Sequence, residues 1–198
     1  MSSVRVGDWC ESSVLEKVAA RRAFMQRCAT YVEELISTWR KILDSRKRKD
    51  QDRLLADAEQ KLLRRAAKEG LPTTLGSLKE GRDGTSLPAQ LRWTEKPIRG
   101  VFCDVDGTLL SGNSLNFALV QHLRGREADG LPVFIWTGGS REDAEKRLRQ
   151  LGLDWLVYSK ERDFLGATVE EAIDDLLHEL GRYQISFLRG SHPSKLVK

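Results

Sequence analysis

The chain has 198 residues, a hydrophobic fraction of 40% and a formal net charge of +4. That composition supports a globular core and excludes a disordered polyelectrolyte. No apolar run approaches the ~20 residues that a membrane helix needs. The excess of basic residues falls in the first 95 positions. It fits either a nucleic-acid contact or a solvated helical face.

The segment Met1–Asp8 has no apolar core of a signal peptide. Cys10, Cys28 and Cys103 are odd in number and too scattered for a metal-binding spacing, which points to a reducing, cytoplasmic setting. His122, His178 and His192 are equally dispersed.

From Glu11 to Arg46 the pattern predicts one long helix. Met25, Cys28, Val32, Leu35, Trp39 and Ile42 form a heptad-like apolar stripe with no Pro or Gly to interrupt it. A second helix is expected over Asp50–Glu69, with Leu54, Leu55, Ala58, Leu62, Leu63 and Ala66 on its apolar positions. Gly70 and Leu71-Pro72 stop it. Between the two lies Arg46-Lys47-Arg48-Lys49, either the turn of an antiparallel hairpin or a charged continuation of a coiled-coil-like helix. The stripe serves either self-packing or an oligomerisation or partner-binding arm. The basic cluster has no interleaved aromatics to stack bases, so support for nucleic acid is weak. Residues 71–96 are rich in Gly, Pro, Ser and Thr and read as a linker.

From Pro97 onward strands and helices alternate. Val101–Asp104 is a buried strand, Ser114–Arg124 a helix with Leu115, Leu119 and Leu123 on one side, and Val133–Trp136 a second strand. Ser140–Leu151 is a charged amphipathic helix with Ser140 as its N-cap, and Trp155–Tyr158 is a third strand. This cadence predicts an α/β domain with a parallel sheet. Residues 1–70 are then a helical N-terminal region, 71–96 a linker, 97–190 the α/β domain and 191–198 a flexible basic tail.

The first strand ends in Asp104-Val105-Asp106-Gly107-Thr108. Side chains two apart on a strand share a face, so Asp104 and Asp106 can converge on one ligand. A carboxylate is ionised at neutral pH and can attack phosphorus without a base, and a second carboxyl can serve as acid and then base. Gly107 permits a tight turn there. After the second strand come Thr137-Gly138-Gly139-Ser140, a hydroxyl and free N–H groups at a helix N-terminus, suited to an anion. Lys160 follows the third strand. Asp174-Asp175 follows Val169–Ile173, which reads either as a strand or as the start of a helix. Glu170 and Glu171 are poor in a buried strand, and Thr168 with Glu171 makes a capping box. The strand is favoured, because the sheet otherwise lacks its next member.

In order and spacing these four pieces resemble the motifs of the haloacid dehalogenase (HAD) superfamily, over about residues 98–188. The resemblance implies a Rossmann-like HAD core and a Mg²⁺-dependent phosphatase working through an aspartyl-phosphate. It implies Asp104 as nucleophile and Asp106 as acid/base. Thr137, Gly138 and Lys160 would hold the phosphoryl group. Mg²⁺ would be held by Asp104, Asp106 (through its main-chain carbonyl), Asp174 and Asp175. Dehalogenases of the superfamily lack an acid at the Asp106 position, which favours phosphoryl transfer here. Neither the stretch from Asp106 to Thr137 nor that from Thr137 to Lys160 is long enough for a folded cap. A capless member implies either a bulky or macromolecular phosphorylated substrate, with a nucleic-acid end phosphatase as one version, or a site closed by another subunit or domain, for which the N-terminal helices are a candidate. The competing expectation is a catalytically weak scaffold whose N-terminal helices self-associate or bind a protein partner.

Overall fold

The computed structural model describes residues 11–44 and 50–196. The N-terminal stretch with Cys10 and the basic cluster Arg46–Lys49 lie outside the described residues. The chain divides into two compact units. One comprises the residues up to Val18 and from Arg92 onward, and the other is Ala19–Leu91.

The helical unit is built by α1 (Glu11–Asp44, whose first turns belong to the other unit), α2 (Gln51–Lys68) and α3 (Leu75–Arg82). Tyr31 donates to Glu69 at 2.5 Å, Arg65 pairs with Glu34, and Gln51 reaches the carbonyls of Ile42 and Leu43. Residue numbers on α2 fall as those on α1 rise, so the two helices form an antiparallel hairpin. The apolar stripe is this unit's core. Met25, Cys28, Val32 and Leu35 pack with Leu62 and Ala66 of α2 and with Leu78 of α3. The Gly- and Pro-rich stretch 71–96 therefore contains ordered structure. Thr74 caps α3 by accepting from the Ser77 N–H, and Ala89–Leu91 form a 3-10 turn. Gly81 lets α3 approach α1 closely, since a Cβ there would lie 2.9 Å from Cys28 Sγ.

The α/β unit holds β1 (Ile98–Asp104), β2 (Leu110–Ser111), β3 (Ser114–Leu115), α4 (Phe117–Ala128), β4 (Val133–Thr137), α5 (Arg141–Gln150), β5 (Val157–Ser159), β6 (Thr168–Ile173), β7 (Ser186–Ser191) and α6 (Pro193–Leu196). Strands β2 and β3 form a small antiparallel hairpin. The other five make one sheet in the order β5-β4-β1-β6-β7, every pair parallel. This is a Rossmann-like α/β sheet. Counting only its own strands the order is 3-2-1-4-5, so the chain reverses direction across the sheet between β1 and β6.

Central β1 is buried on both faces, and its apolar run is continuous, as a central parallel strand requires. Val101 and Cys103 join Leu119 and Leu123 of α4, Ala144 and Leu148 of α5 and Val157 on one face. Phe102 lies on the other face with Phe134, Trp136, Tyr158 and Phe164, and with Val14 and Val18 from the first turns of α1. Phe102 and Phe134 stack at 4.6 Å between centroids, and Phe164 meets Phe102 edge-on at 5.1 Å.

Two expected boundaries move. Ser114 and Leu115 belong to the β2–β3 hairpin rather than to a helix, because Gly112 at φ +59° turns the chain back. The helix starts at Phe117, with Asn116 as its cap accepting from Leu119 N–H at 3.1 Å. Trp155 and Leu156 precede β5 rather than opening it.

Residues 168–173 are a strand, paired with β1 and β7. The two glutamates that argued for a helix are neutralised across the sheet. Arg189 of β7 pairs with both Glu170 and Glu171, and Arg126 of α4 reaches Glu171 at 2.8 Å. No helix among the described residues is long and apolar enough to cross a membrane.

Candidate functional site

In an open parallel sheet, ligands bind beyond the carboxyl ends of the strands, at the point where strand order reverses. Asp104 ends β1, and Asp174 and Asp175 directly follow β6, on the two sides of that point. Thr137 ends β4 and Lys160 follows β5. The four sequence segments therefore deliver their polar residues to one edge of the sheet.

Lys160 is the hub. Its Nζ lies 2.6 Å from Asp104 Oδ1 and 2.7 Å from Asp174 Oδ2, and all three side chains are buried. The second Asp174 oxygen accepts from the Leu176 N–H at 2.9 Å. Burial pushes the Asp104 carboxyl up from its ordinary 3.8 to about 7, against the pull of Lys160 and with the repulsion of Asp174 and Asp175. Burial works against the Lys160 charge, but Asp104 and then Asp174 outweigh it and hold the ammonium above its ordinary value. The site thus concentrates negative charge around one cation, in a poorly solvated place.

Asp175 is placed from below by the first motif. Thr108 donates to its carboxylate at 3.1 Å and accepts from its N–H at 2.9 Å. Gly107 stands at φ +82°, and a Cβ there would collide with the Asp175 carboxylate. Glycine is required here twice over, by conformation and by space.

Thr137 is buried and accepts from the Gly139 N–H at 3.0 Å, while its carbonyl accepts from the Lys160 N–H at 3.0 Å. Its hydroxyl thereby organises the loop that opens α5. Ser140 caps that helix by accepting from the Asp143 N–H at 3.3 Å.

Asp106 does not join the cluster. Its side chain is 53% exposed and pairs at 2.6 Å with Arg147 of α5. Asp104, Asp174 and Asp175, by contrast, place carboxylate oxygens within 4.8 Å of one another.

Three residues had no role in the sequence reading. Thr108 was visible as part of the motif but not as the support of Asp175. Tyr183 brings its hydroxyl against Gly138, so a Cβ at that loop position would crowd the end of this half-buried ring. Asp163 accepts from the Ser159 N–H at 2.8 Å and so fixes the turn that carries Lys160. Only Asp163, four residues from Ser159, lay close enough in sequence to be suspected.

The donor set suits a hard divalent cation, because three carboxylates offer oxygen atoms and nothing softer. Asp104, Asp174 and Asp175 could hold one.

No family model matches the chain, and no curated protein matches it. Among solved structures, part of the chain is similar to NagD from E.coli K-12 strain, at 24% identity and a TM-score of 0.29. The match covers 46% of this chain and 42% of that one, so it spans less than half of either.

Proposed function

We propose that this protein is a HAD-type, Mg²⁺-dependent phosphomonoester hydrolase working through an aspartyl-phosphate on Asp104. The observation that carries the reading is the buried Lys160 ammonium bridging Asp104 and Asp174 at the carboxyl ends of the central sheet. A structural ion pair has no need of a third carboxylate beside it, whereas a phosphoryl-transfer site needs a nucleophile, a charge-neutralising cation and a metal cradle together.

Asp104 attacks phosphorus, and the bond from phosphorus to the ester oxygen breaks. Asp106 gives its proton to that leaving oxygen. Water then attacks the phosphoryl group, the bond to Asp104 breaks, and Asp106 takes the proton from the water. Lys160 and the Thr137–Gly139 loop hold the phosphoryl oxygens throughout. Mg²⁺, held by Asp104, Asp174 and Asp175, would neutralise the phosphate dianion as the carboxylate approaches it. Between Asp106 and Thr137 the chain builds only the β2–β3 hairpin and α4, and between Thr137 and Lys160 only α5 and β5. With no folded cap in either place, a bulky or macromolecular ester is the substrate class that fits.

Turnover of an aryl phosphate with and without Mg²⁺, for wild type beside Asp104→Asn, tests this. Metal-dependent turnover that drops at least about a thousandfold in the variant is expected. A rate retained in Asp104→Asn would sink the mechanism.

A further inference from the structure

Trp93 lies in the Gly- and Pro-rich stretch that reads as a linker, before the sheet begins. Its contacts are those of an anchor. The indole N–H donates to the Asp163 carbonyl, 70 residues on, at 3.0 Å. The ring stacks on the next side chain, Phe164, at 5.6 Å between centroids and 18° between planes. One side chain thus grips two successive residues, the first by its backbone and the second by its ring.

Those two residues end the turn that carries Lys160. Asp163 closes that turn twice. Its carboxylate accepts from the Ser159 N–H at 2.8 Å, and its own N–H donates to the Ser159 carbonyl at 3.0 Å. Ser159 Oγ also accepts from the Arg162 N–H at 3.1 Å. Phe164 is fully buried against Phe102, Trp136 and Tyr158, which fixes the far end of the turn in the core. The Trp93 ring is itself held by the first turns of α1. The Lys17 ammonium stands over it at 5.1 Å, and Val14 and Val18 belong to the cluster it packs against.

We infer that Trp93 is a positioning residue for Lys160: through Asp163 and Phe164 it sets where the turn presents the ammonium to Asp104 and Asp174. The inference rests on the phosphatase reading above. It also gives chain that precedes residue 98, outside the HAD resemblance, a part in the working of the site.

The physical case is one of tolerance. Nζ sits at the end of a flexible stem, and contacts at 2.6 and 2.7 Å to two carboxylates hold only while the backbone beneath it keeps its place. The lysine charge is worth most when the Asp104 carboxylate and a phosphate dianion are closest, which is in the transition state. A shift of about 1 Å transmitted from outside the site therefore falls on kcat rather than on binding.

The test uses two substitutions. Trp93→Phe deletes the N–H donor and keeps an aromatic ring on Phe164, and Trp93→Leu removes both contacts. With p-nitrophenyl phosphate and Mg²⁺, Trp93→Phe should lower kcat about tenfold and change KM by less than about twofold, with a larger loss of kcat in Trp93→Leu. On the residual turnover of Lys160→Met, adding Trp93→Phe should cost less than about twofold, because the group it positions is gone. Amide exchange followed peptide by peptide should quicken over residues 157–165 and stay unchanged in β1 and β6. A kcat unmoved by Trp93→Phe overturns the inference, as does an equal loss with and without Lys160. Exchange that quickens throughout the sheet overturns it too, since Trp93 then merely stabilises the fold. If Asp104→Asn abolishes turnover and Trp93→Phe leaves it intact, only this inference falls. If wild type turns over no ester, the phosphatase reading falls and this inference with it.

Discussion

Asp104 carries a cost that its chemistry explains. Its carboxyl titrates near 7 in the folded protein against 3.8 ordinarily, because burial outweighs the attraction of Lys160. Between those values the folded state binds a proton that the unfolded state has lost. Stability of the metal-free protein therefore falls as pH rises from about 4 to 7 and levels off above 7. Asp104→Asn removes this slope. At pH 8 the variant should be more stable than wild type by on the order of a few kcal/mol, and below pH 4 the two should converge. Chemical denaturation of both proteins at pH 4, 6 and 8 without divalent cations measures the gap. A gap that does not grow with pH would show that Lys160 compensates the charge fully. The same residue that destabilises the fold is the one assigned to attack phosphorus, a trade seen wherever an active group is held in an unfavourable place.

Elements inherit their positions from their ends. Helix α5 starts at Ser140, whose side chain satisfies one of the N–H groups left free in the first turn, and Glu142 and Asp143 add charge that suits that terminus. The same helix carries Arg147 and opens from the Thr137–Gly139 loop, so its cap bears on the site as well as on stability. Ser140→Ala should cost about 1 kcal/mol in urea denaturation. A loss below the experimental error would mean that the Thr137–Gly139 hydrogen bond alone fixes the start of α5. Strand β6 illustrates the opposite dependence. Its Glu170 and Glu171 disfavour a strand locally, and Arg189, Arg126 and the Gly100 N–H, brought by other elements, offset that.

At the scale of the molecule, three carboxylates at the ends of β1 and β6 offer oxygen atoms within 4.8 Å of one another, an arrangement present only in the folded chain. A divalent cation held there stabilises by mass action. At a concentration 100 times its Kd the gain is about 2.7 kcal/mol. Mg²⁺ should therefore raise the Tm of wild type at pH 8 and leave that of Asp174→Asn nearly unchanged. Equal shifts in both proteins would place the cation elsewhere.

The sequence by itself determined the α/β class and the amphipathic helices. It also marked four candidate segments that the fold brings to one edge of the sheet, because each is written locally, as an apolar run ending in a polar residue, a cap, or a glycine at a turn. Asp104, Thr137, Lys160 and Asp174 were legible for that reason: each directly follows or ends a strand. Tertiary structure alone decided what those residues meet. The two glutamates of strand 168–173 are paired by arginines 19 and 45 residues away in sequence, a pairing no local window contains. The salt bridge that turns Asp106 outward, the Thr108 clasp on Asp175 and the Tyr183 hydroxyl against Gly138 are likewise long-range contacts. Local sequence sets backbone conformation through sterics and periodicity. The direction of a charged side chain is set by which opposite charge the fold brings within reach, and that is known only once the strands have assembled.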